Sequence, residues 1–191
     1  MVSIARMPRR ALLVIDLLND FLNRWHEKER AVLISQTNQL IDHFRAAELP
    51  IIWIRQEFEP DLSDAFLEMQ EKEIRITIRG TVGAEICSQL HQYDDDPVVI
   101  KKRYSAFFQT PLEAILERLD ISELTLAGIN THACVRMTAI DAYQRDFKVI
   151  IASECVGSYD KRHAEISLGY LDGKIAQRKS NQEIMSAIGV C

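Results

Sequence analysis

The chain lacks any apolar run close to the ~20 residues that a membrane-spanning helix needs. It also lacks the glycine-rich phosphate loops: neither Gly-x-Gly-x-x-Gly nor Gly-x-x-x-x-Gly-Lys-Ser/Thr occurs, so no motif supports nucleotide binding. Cysteine is sparse. Cys87, Cys134, Cys155 and Cys191 form no Cys-x-x-Cys pair and no zinc-type spacing with histidine. His26, His43, His91, His132 and His163 are scattered, so no metal and no other cofactor is expected. Seven glycines and five prolines exclude collagen-like repeats, and the plentiful Ile and Leu exclude disorder. Positive charge is in deficit: 23 Lys and Arg stand against 28 Asp and Glu, a net charge of −5. That argues against nucleic acid or an anionic membrane as partner and leaves a small molecule. Unpaired, separated cysteines fit reduced thiols, so a cytoplasmic location is expected. Arg residues precede the first apolar segment, but Asp16 interrupts it and no small-residue cleavage site follows, so the start reads as a short tail leading into a strand.

What is there is ordinary globular material: 191 residues, 47% apolar, enough for one domain spanning 1–191. Short β-rich runs alternate with helical stretches. Ala11–Ile15 is continuously apolar, as in a strand buried on both faces. Leu33, Thr37, Leu40, Ile41 and Phe44 form a helical stripe. Ile51–Ile54 and Val98–Ile100 are expected as strands two and three, with residues 57–80 as a surface excursion and Ala84–Leu90 as a short helix. Thr110-Pro111-Leu112-Glu113 reads as a helix start, with Thr as cap and Pro at the first helical position. Leu124–Ile129 and Lys148–Ala152 are strands four and five, with a helix over Ala133–Arg145 between them. His163–Leu171 is expected as a helix, Lys174–Gln177 as a short sixth strand, and Ser180 opens a final helix with a capping box. This alternation predicts an α/β fold: a mostly parallel sheet with helices on both faces.

In such sheets ligands bind beyond the carboxyl ends of the strands. The residues there are Asp16, Gln56, Lys101 with Lys102, and Gly128–Cys134. A carboxylate at the end of a buried strand needs a partner or a raised pKa, but taken alone Asp16 reads as the N-cap of the following helix. Cys134 stands where a strand turns into a helix, where the helix dipole favours the thiolate and free N–H groups could hold an oxyanion. The same cysteine also fits as a small buried apolar residue. Cys87, Cys155 and Cys191 lack this context. Of Lys101 and Lys102 only one can face the cleft, because successive strand side chains point to opposite faces. His132 is too close in sequence to Cys134 to face it productively and reads as a cap or substrate-edge residue.

Three blocks in order, ALLVIDLLNDF (11–21), IKKRYSAFFQT (100–110) and AGINTHACVRMTAIDAYQRDFKVIIASECVGS (127–158), resemble the isochorismatase-like cysteine hydrolases. The resemblance implies a Rossmann-like three-layer αβα fold with a six-stranded parallel sheet. It implies a triad of Asp16, Lys101 and Cys134, in which the cysteine forms a thioester acyl-enzyme. It further implies a cis peptide at Ile129–Asn130, with an oxyanion hole from the N–H groups of Asn130 and Cys134. Gln56, Tyr104, Phe107 and His132 are expected to contact substrate, and a homo-oligomer is expected. Gln56-Glu57-Phe58-Glu59-Pro60 lacks the histidines of the metal-dependent nicotinamidases. Gly80-Thr81-Val82-Gly83 departs from the usual Gly-Thr-Trp/Pro-Gly and leaves specificity open. The cysteine favours C–N hydrolysis of a small amide, ureido or carbamoyl compound. The alternatives are an isochorismatase-type vinyl-ether hydrolase, or a non-catalytic or redox-sensing member of the same fold.

Overall fold

A computed structural model describes residues 9–189. The N-terminal tail and Cys191 lie outside the described residues. The six strands are β1 (Arg10–Ile15), β2 (Ile51–Gln56), β3 (Val98–Lys101), β4 (Glu123–Ile129), β5 (Lys148–Gly157) and β6 (Gln177–Lys179). They form one sheet in the order β3-β2-β1-β4-β5-β6, and every pairing is parallel. The helices are α1 (Asn19–Leu22), α2 (Glu27–Ala46), α3 (Leu67–Glu71), α4 (Leu112–Arg118), α5 (Arg136–Tyr143), α6 (Lys161–Leu171) and α7 (Asn181–Ile188).

The period-two alternation of the strands divides the core into two layers. Ala11, Leu13, Ile15, Ile52, Ile54 and Val99 pack with α4, α5 and α6. Leu12, Val14, Ile51 and Trp53 pack with α2 and α7, where Leu33, Leu40, Ile41 and Phe44 supply the expected helical stripe. The result is a three-layer αβα fold. The surface excursion carries its own small cluster of Phe58, Leu62, Ala65, Met69 and Ile78. Among the described residues no helix is long and apolar enough to cross a membrane.

Four boundaries differ from the sequence reading. The expected helix over Ala84–Leu90 is absent. The backbone there pairs with the start of α1 instead, Cys87 N–H donating to Leu17 O at 3.0 Å and Asn19 N–H to Glu85 O at 3.0 Å. Strand β5 runs five residues beyond Ala152, past an irregularity in its pairing with β4. Strand β6 begins at Gln177, because 172–176 is spent on a turn through Gly173, whose φ is +74°. At α4, Pro111 is the cap residue and Thr110 Oγ1 takes the Leu112 N–H at 3.3 Å. The Ser180 capping box forms as the sequence predicts.

One glycine decides how closely the central strands approach. Gly128 of β4 has φ +121°, and a Cβ there would lie 1.9 Å from the carbonyl oxygen of Ile15. Gly128→Ala should therefore cost more than about 3 kcal/mol, through both strain and clash. Gly169, within α6, has open space around a Cβ, so Gly169→Ala should be neutral or stabilise by up to about 1 kcal/mol. Urea denaturation of the two variants checks the contrast.

Candidate active site

Asp16 follows Ile15, whose side chain packs on the α4–α6 side of the sheet. Regular alternation would send the next side chain to the α2 side. Asp16 instead adopts φ +55°, a left-handed conformation that costs a non-glycine residue about 1 kcal/mol or more and re-aims its carboxylate. The carboxylate is fully buried. Its Oδ1 accepts the Gln56 N–H at 2.8 Å, and its Oδ2 meets Lys101 Nζ at 2.7 Å.

Lys101 is the last residue of β3, in register with Gln56 and on the same face as Val99. Its side chain is fully buried. The ammonium has three donors. One meets Asp16, one Cys134 Sγ at 3.4 Å and one Arg103 O at 3.1 Å. Burial alone would push its pKa down, but the Asp16 carboxylate, aided by the contact with Cys134, outweighs that and holds it raised, so Lys101 stays an ammonium. Lys102 turns the other way and pairs with Asp64 at 2.7 Å on the surface excursion. Alternation admits only one of the two lysines to the cleft, and the one found there is Lys101, as the family resemblance implies.

Cys134 lies in a single π-helical turn, Thr131–Val135, that links β4 to α5. The Ile129–Asn130 peptide before it is cis, and Asn130 O accepts the N–H groups of Ala133 at 3.0 Å and Val135 at 3.2 Å. The cysteine is only 4% exposed. Its thiol is pushed up to about 12, first by burial and then by the negative charge of Asp16, while Lys101 pulls the other way without prevailing. This corrects the expectation of a resting thiolate. Lys101 is already neutralised by Asp16, so a second buried anion has no counter-ion of its own.

The other expected residues divide. Gln56 shares the sheet face of Lys101, and its side-chain Nε2 is buried with no hydrogen-bond partner among the described residues. Tyr104 is half exposed and packs on Phe66 with ring centroids 5.0 Å apart. Its pKa is raised by burial and by the proximity of Cys134 and Tyr159. Phe107 is not brought to the site. It is a core residue, 5% exposed, against Phe147 at 6.0 Å and beneath the Arg145 guanidinium; an aromatic that closes the α4–α5 side of the core cannot also line the cleft. His132 faces the end of β5, with Nδ1 2.6 Å from Ser158 Oγ and its ring edge-on to Tyr159 at 5.3 Å. Burial lowers its pKa, so it is neutral near pH 7. Sequence reasoning missed Ser158 and Tyr159 because it ended β5 at Ala152; the true strand end would have flagged them. Cys155 is buried, bonded to Asn181 Oδ1 at 3.1 Å and pushed up to about 12 by burial, which makes it inert.

Two outcomes follow from this geometry. Lys101→Met leaves Asp16 a buried, uncompensated carboxylate and should cost about 3–5 kcal/mol. The Asp16→Asn/Lys101→Met double variant should recover most of that, and Lys102→Met should stay within about 0.5 kcal/mol of the parent; guanidinium unfolding measures all three. With its thiol pushed up to about 12 by burial, Cys134 holds far less thiolate at pH 7 than an ordinary cysteine. Its iodoacetamide labelling, mapped by mass spectrometry, should be slow at pH 7 and rise about ten-fold per pH unit up to pH 10 without a plateau.

Comparison with known proteins places the chain in a lineage. The isochorismatase domain model matches residues 10–183. A protein of Arabidopsis thaliana described as a probable inactive nicotinamidase is 31% identical over 150 residues, covering 74% of this chain and 76% of that protein. A cysteine hydrolase of Pseudomonas syringae superposes with TM-score 0.87 at 24% identity, over 96% of this chain and 95% of that one. The N-carbamoylsarcosine amidase of Thermoplasma acidophilum superposes with TM-score 0.78 at 26% identity, over 91% and 96% of the two chains. The matched span takes in all six strands and the turn that carries Cys134, and the chain belongs to the isochorismatase family as one of its hydrolases.

Proposed function

We propose that this chain is a cysteine hydrolase that cleaves the C–N bond of a small amide, ureido or carbamoyl compound through a thioester acyl-enzyme. The observation that carries the reading is the contact of one buried ammonium with both a carboxylate and a thiol: Lys101 Nζ lies 2.7 Å from Asp16 Oδ2 and 3.4 Å from Cys134 Sγ. As sulfur attacks the carbonyl carbon, the thiol proton passes to Asp16 and the C–S bond forms. The carbonyl electrons move to oxygen, where the N–H groups of Asn130 and Cys134 receive them. Asp16 then gives its proton to the nitrogen, the C–N bond breaks and the amine leaves. In the second half Asp16 takes a proton from water, the hydroxide adds to the thioester and Cys134 leaves as the thiol, releasing the acid.

Transfer of the proton from Cys134 to Asp16 moves a negative charge from carboxylate to sulfur while Lys101 remains positive. The dry site keeps zero net charge throughout, which makes a neutral resting thiol compatible with nucleophilic chemistry. The open Nε2–H of Gln56 offers a hydrogen bond to a substrate acceptor, and Tyr104, His132 and Tyr159 form the rim. The name of the structural neighbour N-carbamoylsarcosine amidase supports the carbamoyl class. A redox-sensing role is disfavoured by the burial and raised pKa of Cys134, since oxidation tracks exposed thiolate.

A panel of primary amides, ureido and carbamoyl compounds, with isochorismate included, tests the reading. An active amide should give a transient acyl adduct on Cys134 by intact-mass analysis. Cys134→Ala and Asp16→Asn should each lower kcat by at least about 10³ in folded protein, and Lys101→Met by about 10²–10³. Near-full turnover of isochorismate by Cys134→Ala would replace this reading with vinyl-ether hydrolysis.

A further inference from the structure

The main-chain carbonyl that completes Lys101 belongs to a segment that its own backbone does not hold. Residues 102–104 lie past the end of β3, and among the described residues none of them takes part in a hydrogen bond between backbone groups. Yet Arg103 O stands 3.1 Å from Lys101 Nζ and accepts the third proton of a wholly buried ammonium. A carbonyl free to turn would leave that proton unmet, which is costly for a buried charged donor. Something other than backbone pairing therefore fixes this peptide.

The surface excursion supplies the hold. One nitrogen of the Arg103 guanidinium, Nη1, donates to Asp64 O at 2.9 Å and to Lys102 O at 2.7 Å. The guanidinium lies over the Phe66 ring, its carbon 4.9 Å from the centroid, a cation–π contact. The anchor is itself held. Asp64 takes the Glu59 N–H at 2.9 Å and pairs with Lys102, while Leu62 and Ala65 are buried with Phe58 in the excursion's own cluster. Phe66 packs edge-on against Phe58, with centroids 6.0 Å apart. Phe58 follows the end of β2, so the exit of β3 is braced on the exit of β2.

We infer that Arg103 is the positioning residue for Lys101. Its guanidinium, braced on Asp64 and Phe66, fixes its own carbonyl as the third acceptor of the ammonium, so that Nζ stays between Asp16 and Cys134. Without the brace the carbonyl turns away, and the ammonium swings from the two groups between which the negative charge passes. Lys102 also reaches Asp64, but through a partly exposed ion pair of the kind that contributes little. The effect of Arg103 on turnover rests on the cysteine-hydrolase reading; its effect on Lys101 itself does not.

Proton exchange between the Lys101 ammonium and water, followed by NMR of the isotopically labelled intact protein, tests this without a substrate. The signal is assigned by its absence from the Asp16→Asn/Lys101→Met double variant. In the parent, with all three protons held, it should exchange more slowly than the exposed lysines. Arg103→Met should speed it at least about ten-fold and Phe66→Leu about three-fold, as expected for loss or loosening of a hydrogen bond to a charged group. Arg103→Lys, whose ammonium can donate to the same two carbonyls, and Lys102→Met should each stay within about two-fold of the parent. On an amide that the protein turns over, Arg103→Met should lower kcat at least about ten-fold with KM within about three-fold, and Arg103→Lys should restore most of the loss. The proposal is overturned if folded Arg103→Met exchanges as slowly as the parent or, should that variant fail to fold, if Phe66→Leu does. It is equally overturned if Arg103→Lys behaves like Arg103→Met, or if Lys102→Met speeds exchange as much. Faster exchange in Arg103→Met with no turnover of any amide would overturn the amidase reading and leave the positioning of Lys101 standing.

Discussion

The ion pair between Asp16 and Lys101 is the constraint from which the rest of the site follows. Both side chains are wholly withdrawn from water and lie 2.7 Å apart. Such a pair about breaks even against its desolvation, and only when the remaining valences are filled. Here they are: Asp16 Oδ1 by a backbone N–H of β2, and the other Lys101 protons by the Cys134 sulfur and the Arg103 carbonyl. Filling them requires β1, β2 and β3 to end at one level, with the β4 turn closing over the top. The sheet order supplies that, since β1 lies between β2 and β4 and the chain leaves it toward both edges, the kind of switch point at which α/β sheets hold their ligands.

The same pair governs the reactivity of the thiol. In an exposed site a nearby lysine and a helix end would suffice to make a thiolate. In this one the lysine is already committed, so burial holds Cys134 as the thiol. The site then works as a shared charge: one fixed cation, and one negative charge that can reside on Asp16 or on sulfur. Two backbone features make the sharing possible. The left-handed turn at Asp16 swings its carboxylate across the sheet, and Gly128 lets β4 close on β1 at a distance that no side chain would permit. Both are local departures from regular strand geometry, placed where the chemistry is.

Where the sequence reading missed, the cause was a long-range contact. The segment 84–90 is spaced like a helix, but Cys87 N–H donates to Leu17 O and Glu85 O accepts the Asn19 N–H, so residues far away along the chain claim its backbone. Phe107 stands in an aromatic block beside Tyr104, but the turn after β3 drives it into the core against Phe147 and leaves Tyr104 at the rim. The end of β5 was misplaced because Ser153 and Glu154 look like a strand stop, whereas pairing with β4 carries the strand on to Gly157.

Strand–helix alternation, continuous apolar runs and the period-two rule were enough, from the sequence alone, to settle the parallel α/β architecture. They also put Asp16, the Lys101–Lys102 pair and Cys134 at the same end of the sheet and admit only one of the two lysines inward; that this one is Lys101 came from the family resemblance. These are legible because they depend on neighbours in the chain: a run of five apolar residues is a buried strand wherever it falls. The protonation of Cys134, the withdrawal of Phe107, the turning of His132 toward Ser158 and the bracing of Arg103 on Asp64 and Phe66 were decided only by the tertiary structure. Each depends on what residues remote in sequence bring to the same few ångströms, and burial and charge compensation are properties of that assembled environment.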